Sequence, residues 1–145
     1  MPPISFKAIL LAFGAEFIAD QIIRSIAFAL FAQSLYTTGM SDTEMEKMRQ
    51  AVFDTTSYMP WMFAFGAATT VAGGYLAARI AKKIPYYHGL AIGVVGVLFI
   101  LTFWQDQAGW MDWLGLLITI PLALYGSHLA KLHMTPDEPP VQKEP

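Results

Sequence analysis

Four stretches of this chain are apolar for long enough to cross a lipid bilayer, and that constrains the fold more than any motif does. A helical span needs about 20 mostly apolar residues to traverse roughly 30 Å of hydrocarbon. Residues 6–35, 59–80, 86–103 and 111–132 meet or approach that length. Where water is absent, every backbone N–H and C=O must be satisfied within its own segment, so such stretches are helices. The sequence therefore predicts an all-α polytopic membrane protein, with four transmembrane helices in an antiparallel bundle built from residues 1–134. The first stretch is longer than needed and is expected to tilt or to project from the bilayer. Lys7 precedes a run far longer than a secretory core, so this stretch reads as an uncleaved anchor.

Composition agrees and narrows the function classes. Charged residues make up 14% of the chain, against about 25% in soluble domains. The net charge of −2 and the lack of a large basic cluster argue against a nucleic-acid partner. With no cysteine, disulfides, thiolate metal sites and cysteine nucleophiles are excluded.

Basic residues orient the bundle, because Lys and Arg accumulate on the cytoplasmic side. Lys7 precedes the first span, Arg79, Lys82 and Lys83 fill the turn between the second and third, and Lys131 closes the fourth. Acidic residues dominate the opposite loops: Asp42, Glu44, Glu46, Asp54, Asp106 and Asp112, with Lys47 and Arg49 as exceptions. Tyr58, Trp61, Trp104, Trp110 and Trp113 form an outer aromatic belt, and Tyr86 and Tyr87 an inner one. Both termini are thus predicted to be cytoplasmic. Residues 135–145 are polar and proline-rich and read as a flexible cytoplasmic tail. In the first outer loop, Ser41 and Glu44 form a capping box for a short amphipathic helix. Met45, Met48, Val52 and Phe53 fall on one face of it, which suggests that it lies on the membrane surface.

Small residues predict how the spans pack. Gly66, Thr70, Gly74 and Ala78 recur at every fourth position of the second span, and Gly89 and Gly93 do so in the third, with Gly96 and Val97 beyond. Such ridges let backbones approach closely in lipid. The short connecting turn suggests that these two spans form a tight antiparallel hairpin. Pro121, mid-span in the fourth helix, is expected to free the Leu117 carbonyl and bend the helix.

The stretch Gly73-Gly74-Tyr75-Leu76-Ala77-Ala78-Arg79-Ile80-Ala81, followed by Pro85, His88-Gly89 and Gly93, resembles a pattern in small bacterial four-helix membrane proteins of unknown function. The likeness covers about a fifth of the chain. It implies a bacterial inner-membrane location and no particular activity.

The most informative polar feature lies inside the first span. Glu16, Asp20 and Arg24 are spaced by four and share one helix face, widened by Gln21 and Ser25. Counting from Lys7 puts Glu16 about 14 Å deep and Arg24 about 26 Å deep. Each costs at least ~2.5 kcal/mol to insert, so the stripe must face protein or water. Asp20 and Arg24 are placed to pair. Two acids then share one base, and the surplus carboxyl, Glu16, must carry a proton, hold a cation, sit in a hydrated cavity or meet a partner chain. A carboxyl near the midplane of a first helix is similar to that of the small multidrug-resistance transporters, around Ala15-Glu16. The long outer loop and the aromatic-glycine pattern set this chain apart from them.

Other signals are weaker. Arg79, Lys82 and Lys83 suit an anionic lipid headgroup as well as a topological role. His88 and His128 could face each other as haem or metal ligands, although interfacial histidines more often serve hydrogen bonding. Met40, Met45, Met48, Met59, Met62 and Met111 have thioethers that suit Cu(I), but several form the apolar face of the loop helix. No phosphate loop or nucleophile–base order appears. Ser127 and His128 are adjacent, so they point apart on a helix. The sequence thus predicts a non-enzymatic protein without cofactor or bound metal. Its expected partners are the lipid bilayer and other membrane subunits or copies of itself, as an accessory or assembly subunit. The alternative is a small proton- or ion-coupled transporter using Glu16 and Asp20.

Overall fold

Helix starts follow from side chains close by in sequence. In the computed structural model, which describes residues 4–55, 57–82, 84–102 and 110–134 (the side chains of Met111 and Asp112 excepted), Ser5 opens the first helix. Its hydroxyl accepts from the Ala8 N–H at 3.3 Å, so an otherwise orphaned donor is satisfied. Helix α1 runs over Phe6–Ala32, α2 over Asp42–Phe53, α3 over Tyr58–Ala81, α4 over Pro85–Thr102 and α5 over Trp110–Leu132. No strand occurs among the described residues. At α2 the Ser41 hydroxyl accepts from the Glu44 N–H, while the Glu44 carboxylate takes the Ser41 N–H at 2.8 Å. α3 stops at Lys82, which adopts a left-handed conformation (φ 57°), and Ile84 does the same (φ 44°) before α4 begins. The expected tail, 135–145, lies outside the described residues, as do Lys83, Trp104 and Asp106.

Two segments, Pro85–Thr102 and Trp113–Leu132, are long and apolar enough to cross a membrane. α1 and α3 are longer still but fall short for different reasons. Glu16, Asp20 and Arg24 interrupt α1, and α3 is diluted by glycine and threonine and ends near Arg79. Length and composition together thus single out two helices rather than the four stretches read from the sequence.

α3 sits at the centre, against α1, α4 and α5; α1 also touches α4, through Phe13 and Phe17 on Phe99, whereas α1 and α5 do not meet. Phe63 approaches Gly115, Gly74 lies on Ala123, and Arg79 reaches His133, so α3 and α5 run parallel. Gly89 meets Ser127 and Gly96 meets Thr119, so α4 and α5 are antiparallel.

α3 and α4 run antiparallel and pack together as expected, but the ridges predicted to join them are turned elsewhere. Gly74, Gly89 and Gly93 are at close contacts, but the surface they meet is α5. A Cβ on Gly74 would stand 2.8 Å from the Ala123 carbonyl carbon, and one on Gly93 would stand 2.9 Å from the Ile120 Cα. Gly126 of α5 returns the contact, since a Cβ there would stand 2.8 Å from the Tyr75 backbone nitrogen. The Ser127 hydroxyl donates to the Gly74 carbonyl at 3.0 Å. Gly66 takes no part, since nothing lies within 4 Å of where its Cβ would be. Thr70 turns toward α1 instead, and Ala78 is buried. The reason is that α5 carries its own stripe of small residues, Thr119, Ala123, Gly126, Ser127 and Ala130, which serves both neighbours.

The interior is made of small and weakly polar side chains. Ala8, Ala12, Ala77, Ala123, Ala130 and Ser127 are buried, while Leu10, Ile18, Ile22, Leu98 and Leu117 are exposed. Ile92 and His88 of α4 are the largest side chains buried outright among the described residues, and a second cluster lies at the end where α2 sits. There Met48 and Val52 pack with Ala27, Ala32 and Tyr58, flanked by Phe28, Phe31, Met40, Met45 and Met62. The Tyr58 ring stands edge-on to Phe31 at 5.3 Å and to Phe53 at 5.4 Å. Met48 and Val52 on the apolar face of α2 are therefore covered by the ends of α1 and α3, while Phe53 stays exposed. The described methionines there, other than Met59, serve as packing in this cluster.

Candidate functional site

The four-residue spacing on α1 brings Asp20 and Arg24 together, with Arg24 Nε donating to Asp20 Oδ2 at 2.6 Å. The pair is lopsided: the Asp20 side chain is 17% exposed, the Arg24 side chain 58%. Asp20 turns toward the bundle and Arg24 away from it, within electrostatic reach of the Tyr58 phenol at the start of α3. Gln21 is exposed, and Ser25, also exposed, returns its hydroxyl to the Gln21 carbonyl at 2.8 Å.

Glu16 is half-buried and stands apart from that pair. Its carboxyl lies in the notch that Gly73 leaves in α3, where a Cβ would come within 2.8 Å of the carboxyl carbon. Thr70, one turn along α3, supplies a side-chain hydrogen bond, and Asp20 is the neighbouring charge. No basic side chain among the described residues is within ion-pair distance of Glu16. Counting along the helices puts it about 15 Å from the start of α1 and about 12 Å from the end of α3, close to the middle of the bundle. A carboxyl with a hydroxyl beside it and no cation can hold or pass a proton, or offer two oxygens to a small cation.

The other predicted groups are arranged differently. Arg79 donates to the His133 carbonyl at 2.9 Å and so ties the end of α3 to the end of α5, while Lys82 is exposed at the left-handed turn. Lys83 lies outside the described residues. His88 and His128 do not face each other. His88 is buried, with its Nε2 accepting from the Ser5 N–H at 2.9 Å and its Nδ1 at 3.2 Å from the Ile84 carbonyl. Those two partners place the ring hydrogen on Nδ1, and His88 thereby pins the start of α1 to α4. His128 is exposed, 2.9 Å from the Tyr86 hydroxyl and stacked against that ring. No group of three or more His, Asp or Glu side chains able to hold a metal occurs among the described residues.

Sequence reasoning missed Gly73, Ser127 and the small-residue stripe of α5. The signal was present, because Thr119, Ala123 and Ser127 recur at the same four-residue interval as the ridge on α3. No family model matches the chain, and no characterised protein or solved structure is significantly similar to it. Functional assignment therefore rests on the geometry alone.

Proposed function

We propose that α1, α3, α4 and α5 all cross a bacterial cytoplasmic membrane, with both termini inside, and that the protein is a non-catalytic accessory or assembly subunit of a larger membrane complex. Membrane insertion is supported by the distribution of side chains. Small and polar groups fill the interior while Leu, Ile and Phe face outward along every long helix. That arrangement is costly in water and favourable in lipid, where close packing of small residues drives association.

The observation that carries the assembly role is Arg24. Its exposed guanidinium emerges from the helix face that carries Asp20 and Gln21 on one side and Phe28 on the other, while Ile18, Ile22 and Ile26 line a different outward face. Paired to Asp20 and about 26 Å along the span, near the outer interface, it costs less than the ~2.5–3.5 kcal/mol of an arginine at the membrane centre, but its remaining N–H donors still face outward. A second transmembrane helix bearing an acid or amide would relieve that cost and also engage Gln21. A two-fold pairing of identical α1 helices, running parallel in the membrane, would instead set Arg24 against its own copy. A different subunit is the better partner.

After extraction in mild detergent, the wild-type protein is expected to migrate as a complex larger than one chain. Arg24→Leu, which suits lipid, should migrate as a smaller species with unchanged helix content. If both migrate alike as a single chain, the assembly reading is wrong. A second reading, proton or cation transfer, is favoured by the position of Glu16 on Gly73. Under that reading Glu16→Gln abolishes proton flux into vesicles containing the purified protein. Under the assembly reading it leaves the complex intact.

A further inference from the structure

At the end of the bundle opposite α2, cations collect without counter-charges among the described residues. Lys7, Arg79, Lys82 and Lys131 lie there, and none forms an ion pair among the described residues. Within α3, α4 and α5 the single acid is Asp112, at the far end of α5 and about 28 Å from Lys131 along the helix axis.

One of these cations is held in a defined setting. Lys131 Nζ stands 5.3 Å from the centre of the Tyr86 ring, an attraction that uses none of its N–H donors. The Tyr86 hydroxyl is 2.9 Å from His128 Nδ1. With the phenol donating, the remaining imidazole hydrogen sits on Nε2 and is free. His128 and Lys131 are three apart on α5 and share a face, so both donors present toward the same side. Directly along α4 from Tyr86, one and two turns on, Leu90 and Val94 are exposed.

We infer that Tyr86, His128 and Lys131 form a binding site for the phosphate of an anionic phospholipid headgroup, with the acyl chains running along the exposed side of α4. The inference rests on the membrane-spanning reading above. It moves the expected headgroup contact from the α3–α4 turn, where Arg79 is engaged by the His133 carbonyl, to the seam between α4 and α5. Lipid is favoured over a soluble phosphate because the donors stand directly above an apolar track that a free anion would not use.

Native mass spectrometry of the detergent-purified protein, titrated in turn with phosphatidylglycerol and phosphatidylcholine, tests this. Phosphatidylglycerol is expected to bind more tightly. Lys131→Gln should weaken that binding about fivefold, the effect of one cation at an anionic surface. His128→Gln should weaken it further, and Lys47→Gln, an equal charge loss on exposed α2, should not. Equal affinity for the two lipids, or equal loss in Lys131→Gln and Lys47→Gln, overturns the site. Displacement of phosphatidylglycerol by inorganic phosphate alone would make the ligand a free anion and overturn the lipid assignment. Retention of the protein in phosphatidylcholine vesicles through an alkaline wash reports membrane insertion separately. A failure of insertion is thereby distinguished from a failure of headgroup selectivity.

Discussion

Gly73 and Gly74 are neighbours in sequence and meet different kinds of obstacle. Gly73 looks at the carboxyl of Glu16, the far end of a side chain that can swing, whereas Gly74 and Gly126 look at backbone. Backbone in a packed helix cannot retreat without moving the whole element. Gly74→Ala and Gly126→Ala should therefore each destabilise the bundle by about 1–3 kcal/mol, the usual cost of overpacking. Gly73→Ala should cost less and displace Glu16, and Gly66→Ala, facing open space, should be close to neutral. Thermal unfolding in detergent across the four variants checks that order. A Gly66→Ala cost equal to that of Gly126→Ala would contradict the helix packing described. Glycine spacing marked Gly66 and Gly74 alike as ridge positions. It could not separate them, because the obstacle at Gly74 belongs to a helix about fifty residues away, while Gly66 meets none.

Each helix shows a different balance of local and distant control. The two ends of α2 illustrate it. Its start is set within four residues by Ser41 and Glu44, and its apolar face is set by aromatic rings from α1 and α3. Hydrogen bonds from the Ser41 backbone N–H and then its hydroxyl hold the Glu44 carboxyl below its ordinary range. Because folding lowers this affinity for protons, the contribution is complete above the ordinary value of 4.5 and is lost as pH falls through the lower folded value. Protection of the first-turn amides of α2, taken relative to their intrinsic exchange rate at each pH, should fall on acidification through that window. In Glu44→Gln it should be pH-independent there. Unchanged protection in the wild type would show that the cap does not titrate with the helix. α1 is controlled in the same mixed way, by its own Ser5 hydroxyl and by the buried His88 ring across the bundle.

At the scale of the molecule, the chain has no cysteine, so a single introduced thiol is the only one to react. In intact bacterial cells, a membrane-impermeant maleimide should label Lys47→Cys on α2 and should leave Lys82→Cys at the α3–α4 turn unlabelled until the cells are opened. Labelling of both positions in intact cells would rule out the proposed four-span topology. Much of the architecture was legible before any coordinates. Helix positions follow from apolar run lengths, the α2 start from a capping pair, and the Asp20–Arg24 contact from a spacing of four, because all of these act within one or a few turns. The choice of partners was not legible. Three helices carry interchangeable small-residue stripes, and mutual shape complementarity, rather than chain proximity, brings α3 onto α5, which α4 meets as its neighbour in sequence as well. The surroundings of Glu16 were equally hidden. A carboxyl reports its own cost of burial through its sequence position, while the Gly73 notch that receives it exists only once α1 and α3 have packed.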